Sequence, residues 1–475
     1  MTTPTVVVIG GGTAGLAVAF TLREYARRRG EPLSLTLLEA APQIGGHAQT
    51  HETPDGFVVE AGPNGFLNRE PHTLALIDAL GLTDRLVEAR PESARRFIVR
   101  GGQLREVPTG PASLVTTDAL SWQAKLRLMA EPFAAGPPAG VDETVHAFAT
   151  RRIGHEAAEM LVDAAVSGIS AGDSRCLSVR AQFPTMAEME REHGGLVRAM
   201  FARRGRRQGP SRLLSFDRGM GVLTRTLAAR LADAVRVNSP AQSVRRDGDE
   251  WRVVLRDGRA VAADHVVFSL AARATAPLVE DLDSAWAASL RATEYAGLAV
   301  VALGYRTSEL PRSLEGYGYL VTRPEQLSTL GVVWESSLFP GRAPEGHALL
   351  RVMLGGSRRP DVLDLADAPL VTLARRELHR VMGLEAEPRL TRIFRWPGAI
   401  AQYTVGHLER RAQVMAQAAR HPGLWLCGTS YDGVSFNHAV RSARLTAGAL
   451  ADAVWQHAPA DTLDEVGAGT SRHRH

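Results

Sequence analysis

A short β-branched run near the start of the chain, Val6–Ile9, leads directly into Gly10-Gly11-Gly12-Thr13-Ala14-Gly15. A helix-like stretch, Leu16–Arg29, follows. A second strand-like run, Leu33–Leu38, then ends on Glu39. A strand that turns at once into a helix and returns to a second strand is a βαβ opening, and it commits the chain to a doubly wound α/β sheet. In this G-x-G-x-x-G pattern Gly10 permits the sharp turn. Gly12 lets backbone N–H groups approach a pyrophosphate, and Gly15 lets the helix lie close on the strand. The helix N-terminus adds partial positive charge. Glu39 is placed to accept both hydroxyls of an unphosphorylated ribose, as in FAD or NAD rather than NADP.

The whole chain of 475 residues is too long for one ordinary domain. Its 45% hydrophobic and 22% charged residues exclude a disordered chain or a fibre. The two cysteines, Cys176 and Cys427, form no CxxC pair and no HExxH is present, so no metal site is expected. A net charge of +4 is too weak to indicate nucleic-acid binding. The densest basic stretch, Arg203, Arg204, Arg206 and Arg207, reads as a solvated loop. No apolar run approaches the ~18 residues needed to span a bilayer, and the glycine-cut start does not resemble a signal peptide. A cytoplasmic protein is expected, with peripheral attachment to a membrane left open.

Residues 113–205 are mostly helical in pattern, with Trp122–Phe133 and His155–Val166 the clearest helices and Gly205–Ser211 a break. Leu126, Leu128, Met129 and Phe133 read as core positions. Strands are expected at Val235–Val237, Trp251–Leu255, Val266–Leu270, Leu298–Gly304, Gly331–Glu335, Ala348–Met353 and Trp425–Cys427. Helices are expected at Leu223–Leu231, Leu365–Met382 and His438–Ala453, and Pro459–His475 reads as a tail. The expected architecture is a Rossmann-type cofactor domain built from both chain ends (1–76, 211–285 and 421–457). It carries an inserted mixed-sheet substrate domain (77–112 and 286–420) and an inserted helical domain (113–210).

Further motifs narrow the reading. Gly45-Gly46-His47 follows the acid, and Gly56-Phe57-Val58-Val59-Glu60-Ala61-Gly62-Pro63-Asn64-Gly65-Phe66 comes next. Ser167–Asp173, the Phe216–Leu223 glycine turn, Phe394–Pro397 with Gln402-Tyr403 and Gly406–Arg410, and Cys427–Val434 then appear in order. Together they resemble the protoporphyrinogen oxidases of the amine-oxidase-like flavoproteins, over roughly residues 5–455.

The resemblance implies non-covalent FAD. Gly10, Gly11, Gly12, Thr13, Ala14, Gly15, Glu39, Ala40, Gly45, Gly46 and His47 would hold its dinucleotide half. Gly62, Pro63, Asn64 and Gly65 would line the flavin edge, and Ala241 would offer its backbone to the adenine. Trp396 would lie near the flavin. Gly428, Val434, Ser435 and Phe436 would bring backbone amides to it at the start of the last helix.

The implied reaction is a six-electron oxidation of a tetrapyrrole, protoporphyrinogen IX or coproporphyrinogen III, with O2 as acceptor and hydrogen peroxide as product. No catalytic side chain is identified, since the flavin does the chemistry. Asn64, Arg95 and Ser170 are the candidate substrate residues, with Arg96 an alternative cation for a propionate. The family pattern differs here at several places: Asn64 stands for a common Arg, Ser170 for an aromatic, Thr429 for Asn, Ser435 for Gly and His438 for Asp. These departures leave open an oxidase or desaturase of an amine or specialised metabolite, or a non-catalytic FAD- or porphyrin-binding relative. Monomer and homodimer both remain open.

Overall fold

The computed structural model describes residues 3–136, 140–202 and 211–455. The Arg203–Arg207 run, most of the Gly205–Ser211 break and the Pro459–His475 tail lie outside these residues.

Strand β1 (Thr5–Ile9), helix α1 (Thr13–Arg29) and strand β2 (Ser34–Leu38) form the opening unit. They join Val235–Arg236, His265–Phe268 and Leu424–Leu426 in a five-stranded, all-parallel sheet. Across the sheet the order runs Val235–Arg236, β2, β1, His265–Phe268, Leu424–Leu426. The chain winds one way from β1 and then the other, so the carboxyl end of β1 is a topological switch point, where such sheets bind ligands. The last helix, Phe436–Val454, lies against α1 through Ala439, Val440, Ala443 and Ala447, whose small side chains allow close approach. Both chain ends therefore build this unit.

A mixed sheet of seven strands forms the second body. Its order is Leu390–Ala401, Tyr295–Arg306, His347–Gly355, Thr329–Trp334, Gly318–Val321, Phe97–Arg100, Gln103–Glu106. Tyr295–Arg306 is apolar almost throughout because both of its faces are covered. Ala299, Val301, Leu303 and Tyr305 pack in one core with helix Asp367–Met382, while Ala302 faces Phe57, Leu349 and Leu390. The helix meets that core with Leu370, Leu373, Ala374, Leu378 and Val381, the stripe expected of a 3.6-residue period.

Several expectations are corrected. Leu86–Glu88, given above to the substrate domain, pairs with Leu213–Phe216 of the cofactor unit. Trp122–Phe133 is not one helix: it ends at Met129, and Glu131–Phe133 forms a tighter turn. There Pro132 has no N–H to give an α-helix, and Glu131 turns inward to the buried Arg152. Leu126, Met129 and Phe133 are 52%, 55% and 87% exposed and so are not core; Leu128 alone packs inward. Within His155–Val166 the helix widens to π geometry over Ala158–Asp163. Asp163 at its end is buried, and it binds Arg323 at 2.9 Å, Arg358 at 3.1 Å and Ser174 at 2.6 Å. That carboxylate clasps the helical segment to the loops of the large sheet.

Candidate active site

At the carboxyl end of β1 the chain turns with Gly10 at φ +109°, a value that favours glycine. A Cβ on Gly15 would collide with the Gly10 carbonyl oxygen, so the close seat of α1 requires glycine there. Helix α1 starts at Gly12 with no side-chain cap and no acid in its first turn. The first amides of such a helix lack intrahelical acceptors and carry the positive end of its dipole.

The second glycine turn closes on the first. Gly45 N–H donates to the Gly11 carbonyl at 2.8 Å, and Gly12 and Gly45 form a bridge. A Cβ built on Gly12 would meet only Gly46 Cα, at 3.7 Å. The two turns thus leave an uncapped, uncharged cradle that a larger side chain would fill. A pyrophosphate fits it.

Beside the cradle, Glu39 accepts N–H bonds from Gly11 at 2.7 Å and Ala41 at 2.8 Å. Each carboxylate oxygen keeps a second lone pair, so hydroxyl donors can still be received. Exposed Ala40 follows, and Ser239 N–H donates to the Glu39 carbonyl at 2.8 Å, which brings the segment leading to Ala241 alongside.

The loop Gly62-Pro63-Asn64-Gly65 packs on the other side. Gly62 abuts the His47 carbonyl, and Gly65 lies against Leu214. Asn64 is buried and donates to Glu335 Oε1 at 3.1 Å rather than standing free. Arg351 pairs with the same carboxylate at 2.9 Å and reaches under the loop to the carbonyls of Gly62 and Glu60. Glu60 accepts from Thr50 Oγ1 at 2.6 Å and Met220 N–H at 2.8 Å, with Arg342 3.6 Å away. Complete burial outweighs the Arg342 charge and raises the Glu60 pKa to about 7.

Trp396 donates its indole N–H to the Ala61 carbonyl at 2.7 Å and meets the His47 ring edge-on at 4.8 Å. His47 is exposed but crowded by Trp396 and the Gly62 backbone. Desolvation there, with the Arg273 charge, lowers its pKa and keeps the imidazole neutral near pH 7.

The last turn, from Gly428 to Val434, is pinned by Tyr403. Its hydroxyl accepts from Gly433 N–H at 2.7 Å and donates to the Thr429 carbonyl at 2.8 Å. Ser435 caps the last helix, accepting from His438 N–H at 3.2 Å and approaching His438 Nδ1 at 2.9 Å. The departure from the family pattern at His438 is thereby paired with the one at Ser435. Phe436 stacks on Phe66 at 5.7 Å, and no acid stands in the first turn of that helix.

The substrate candidates are not all brought together. Arg95 sits on the surface, paired with Glu106 at 3.0 Å and Glu315 at 3.4 Å. Arg96 instead lies 5.3 Å from the centre of the Tyr317 ring and has no carboxylate partner among the described residues. Tyr317 neighbours Asn64. Ser170 is fully buried and spends its hydroxyl on the Val166 carbonyl at 2.9 Å. Its own carbonyl receives Gln402 Nε2 at 3.0 Å.

Residues missed from the sequence include Arg351, Glu335 and Arg342. The available signal was a lone charge inside an apolar strand, as in Leu349-Leu350-Arg351-Val352. Arg273 was also missed; its signal was one arginine in an alanine run just past a parallel strand.

The pattern that describes the flavin-containing amine oxidoreductases matches residues 13–451. The chain belongs to that family. It is therefore an oxidoreductase with a flavin cofactor, and the cradle, Glu39 and the uncapped start of α1 fit such a group. The chain is similar to coproporphyrinogen III oxidase of Bacillus subtilis, at 30% identity over 90% of this chain and 94% of that one. It is similar to human protoporphyrinogen oxidase at 32%, over 93% of this chain and 97% of that one. Among solved structures, a candidate protoporphyrinogen oxidase from Exiguobacterium superposes with a TM-score of 0.82 at 26% identity, covering 95% of this chain and 99% of that one.

Proposed function

We propose that this chain is an FAD-dependent oxidase that converts a porphyrinogen, protoporphyrinogen IX or coproporphyrinogen III, to the porphyrin in haem biosynthesis. The observation that carries this reading is a run of adjoining contacts. It runs from Glu39 along the Gly12 and Gly46 turns to the Gly62–Gly65 loop, and on to Asn64, Tyr317 and Arg96. Similarity to oxidases of both porphyrinogens over nearly the whole chain supports it.

Bound FAD would supply the redox chemistry, taking hydride equivalents three times and passing them to O2 with release of hydrogen peroxide. The residues position and shield. Amides of Thr13, Ala14 and Gly15 would hold the pyrophosphate, Glu39 the ribose and the Ala241 backbone the adenine. Trp396 packs near the ring system. The amides opening the Phe436–Val454 helix favour negative charge on that side. Non-covalent binding is supported by the placement of the two cysteines: Cys427 is fully buried with Sγ toward Ser442, and Cys176 belongs to the helical segment. Arg96, rather than Arg95, greets a substrate propionate, because its guanidinium is uncommitted.

No described helix is long and apolar enough to cross a membrane. The exposed edge of Trp122, Leu126, Met129 and Phe133 supports peripheral contact with a lipid surface.

The deciding experiment follows porphyrin fluorescence in air with the two porphyrinogens side by side, autoxidation subtracted. A rate above background with either is expected, and the ratio names the substrate. A flavin-loaded protein inert toward both would overturn the reading.

A further inference from the structure

Arg273 lies in the short helix Ala272–Thr275, just beyond the carboxyl end of the His265–Phe268 strand. Its guanidinium carbon is 5.1 Å from the centre of the Tyr295 ring. A Cβ on Gly398 would collide with the guanidinium, so the missing side chain there gives the cation its seat. Tyr295 is itself fixed: its hydroxyl accepts from Ala272 N–H at 2.7 Å and meets Ser430 Oγ at 2.9 Å.

Three walls of the cleft converge on this residue. One is the Gly46–His47 turn that abuts Gly12, whose imidazole senses the Arg273 charge. The second is the strand carrying Trp396 and Gly398. The third is the Gly428–Ser430 turn. Arg273 is exposed and has no carboxylate partner among the described residues. The nearby Asp432 is already taken by Arg411 at 2.6 Å.

We propose that Arg273 is an oxyanion-binding residue of the cleft, receiving either the pyrophosphate of the dinucleotide or a carboxylate of the substrate. Stacking on Tyr295 holds the guanidinium in place while leaving N–H edges free, and its fork matches a phosphate or carboxylate through two parallel bonds. A fixed cation with no carboxylate partner among the described residues also attracts anions there. The proposal rests on the FAD and porphyrinogen reading above.

The test titrates apoprotein of the wild type, Arg273→Ala and Arg273→Lys with FAD, inorganic pyrophosphate and coproporphyrin III. Arg273→Ala should weaken one oxyanion class by roughly tenfold to a hundredfold, the loss of one charge-assisted contact. Arg273→Lys should recover part of it. A loss confined to FAD and pyrophosphate assigns the cofactor; a loss confined to the porphyrin assigns the substrate. If Arg273→Ala binds all three within about twofold of wild type, the proposal fails while the FAD reading stands. A wild type that binds pyrophosphate and porphyrin but not FAD removes the FAD reading and leaves Arg273 tested on the other two probes. A wild type that binds none of the three overturns both.

Discussion

Two buried clusters of charge in this molecule are built to different standards. In the helical segment Arg152 is fully buried between Glu131 and Glu190, while Arg151 joins Glu190 and Glu143 at 2.6 Å each. Glu131 also receives the N–H groups of Leu196 at 2.8 Å and Val197 at 3.1 Å. Beneath the Gly62–Gly65 loop the matching is incomplete. Glu335 Oε2 and the Nε and Nη1 atoms of Arg342 have no hydrogen-bond partner among the described residues, although they are buried. The contrast separates a staple from a support. The first cluster satisfies its charges locally, as a purely structural network must. The second leaves such atoms unpaired while Arg351 reaches the carbonyls of Glu60 and Gly62 under the loop.

The largest effect is expected at the cradle itself. Gly12→Val should strip the flavin, seen as loss of visible absorbance, while the apoprotein keeps its unfolding midpoint. A fully yellow Gly12→Val protein would remove the cradle from the site.

Next come the two clusters. Arg152→Ala leaves the buried Glu131 without its cation, while Glu190 keeps Arg151, and should cost about 3–5 kcal/mol in denaturant unfolding. Flavin content per folded molecule should be unchanged. Arg351→Ala should lower flavin content as well as stability. Equal flavin loss in both variants would erase the distinction between staple and support.

The clusters should also answer pH in opposite directions. Desolvation raises the Glu60 pKa to about 7, above its unfolded value. Its contribution is present in full below the unfolded pKa and is lost as pH rises through about 7, a change on the order of 3 kcal/mol. Glu131 is held low by Arg152 and the Leu196 and Val197 amides, despite desolvation acting the other way. Its contribution is present above the unfolded pKa and disappears as pH falls through the folded one. Glu60→Gln should therefore flatten the stability profile between about pH 4.5 and 7, and Glu131→Gln only its acid limb. Unfolding curves over that range, with identical slopes for the two variants, would contradict the assignment.

The smallest effect separates two neighbours. Arg96→Ala should raise KM for a porphyrinogen with little change in kcat. Arg95→Ala should leave both unchanged, since exposed ion pairs contribute little. Equal shifts in steady-state kinetics would return Arg95 to the site.

The sequence by itself determined the parts whose requirements are local. A glycine turn between a strand and a helix demands φ values and close approaches that few residues permit, so the Gly10 and Gly15 turn and the strand ending at Glu39 were legible, as were all five strands of the parallel sheet but only three of the seven in the mixed sheet. The helix stripe of Leu370–Val381 was legible for the same reason: its periodicity is written in neighbouring residues. Tertiary structure alone decided what depends on distant segments meeting. It tied Asn64 to Glu335 and Arg351, set Arg273 beside His47, and gave Leu86–Glu88 to the cofactor unit. It also turned Leu126, Met129 and Phe133 outward where helical spacing suggested core. Burial, ion pairing and desolvation depend on which surfaces come together, and no local pattern in this chain specifies that.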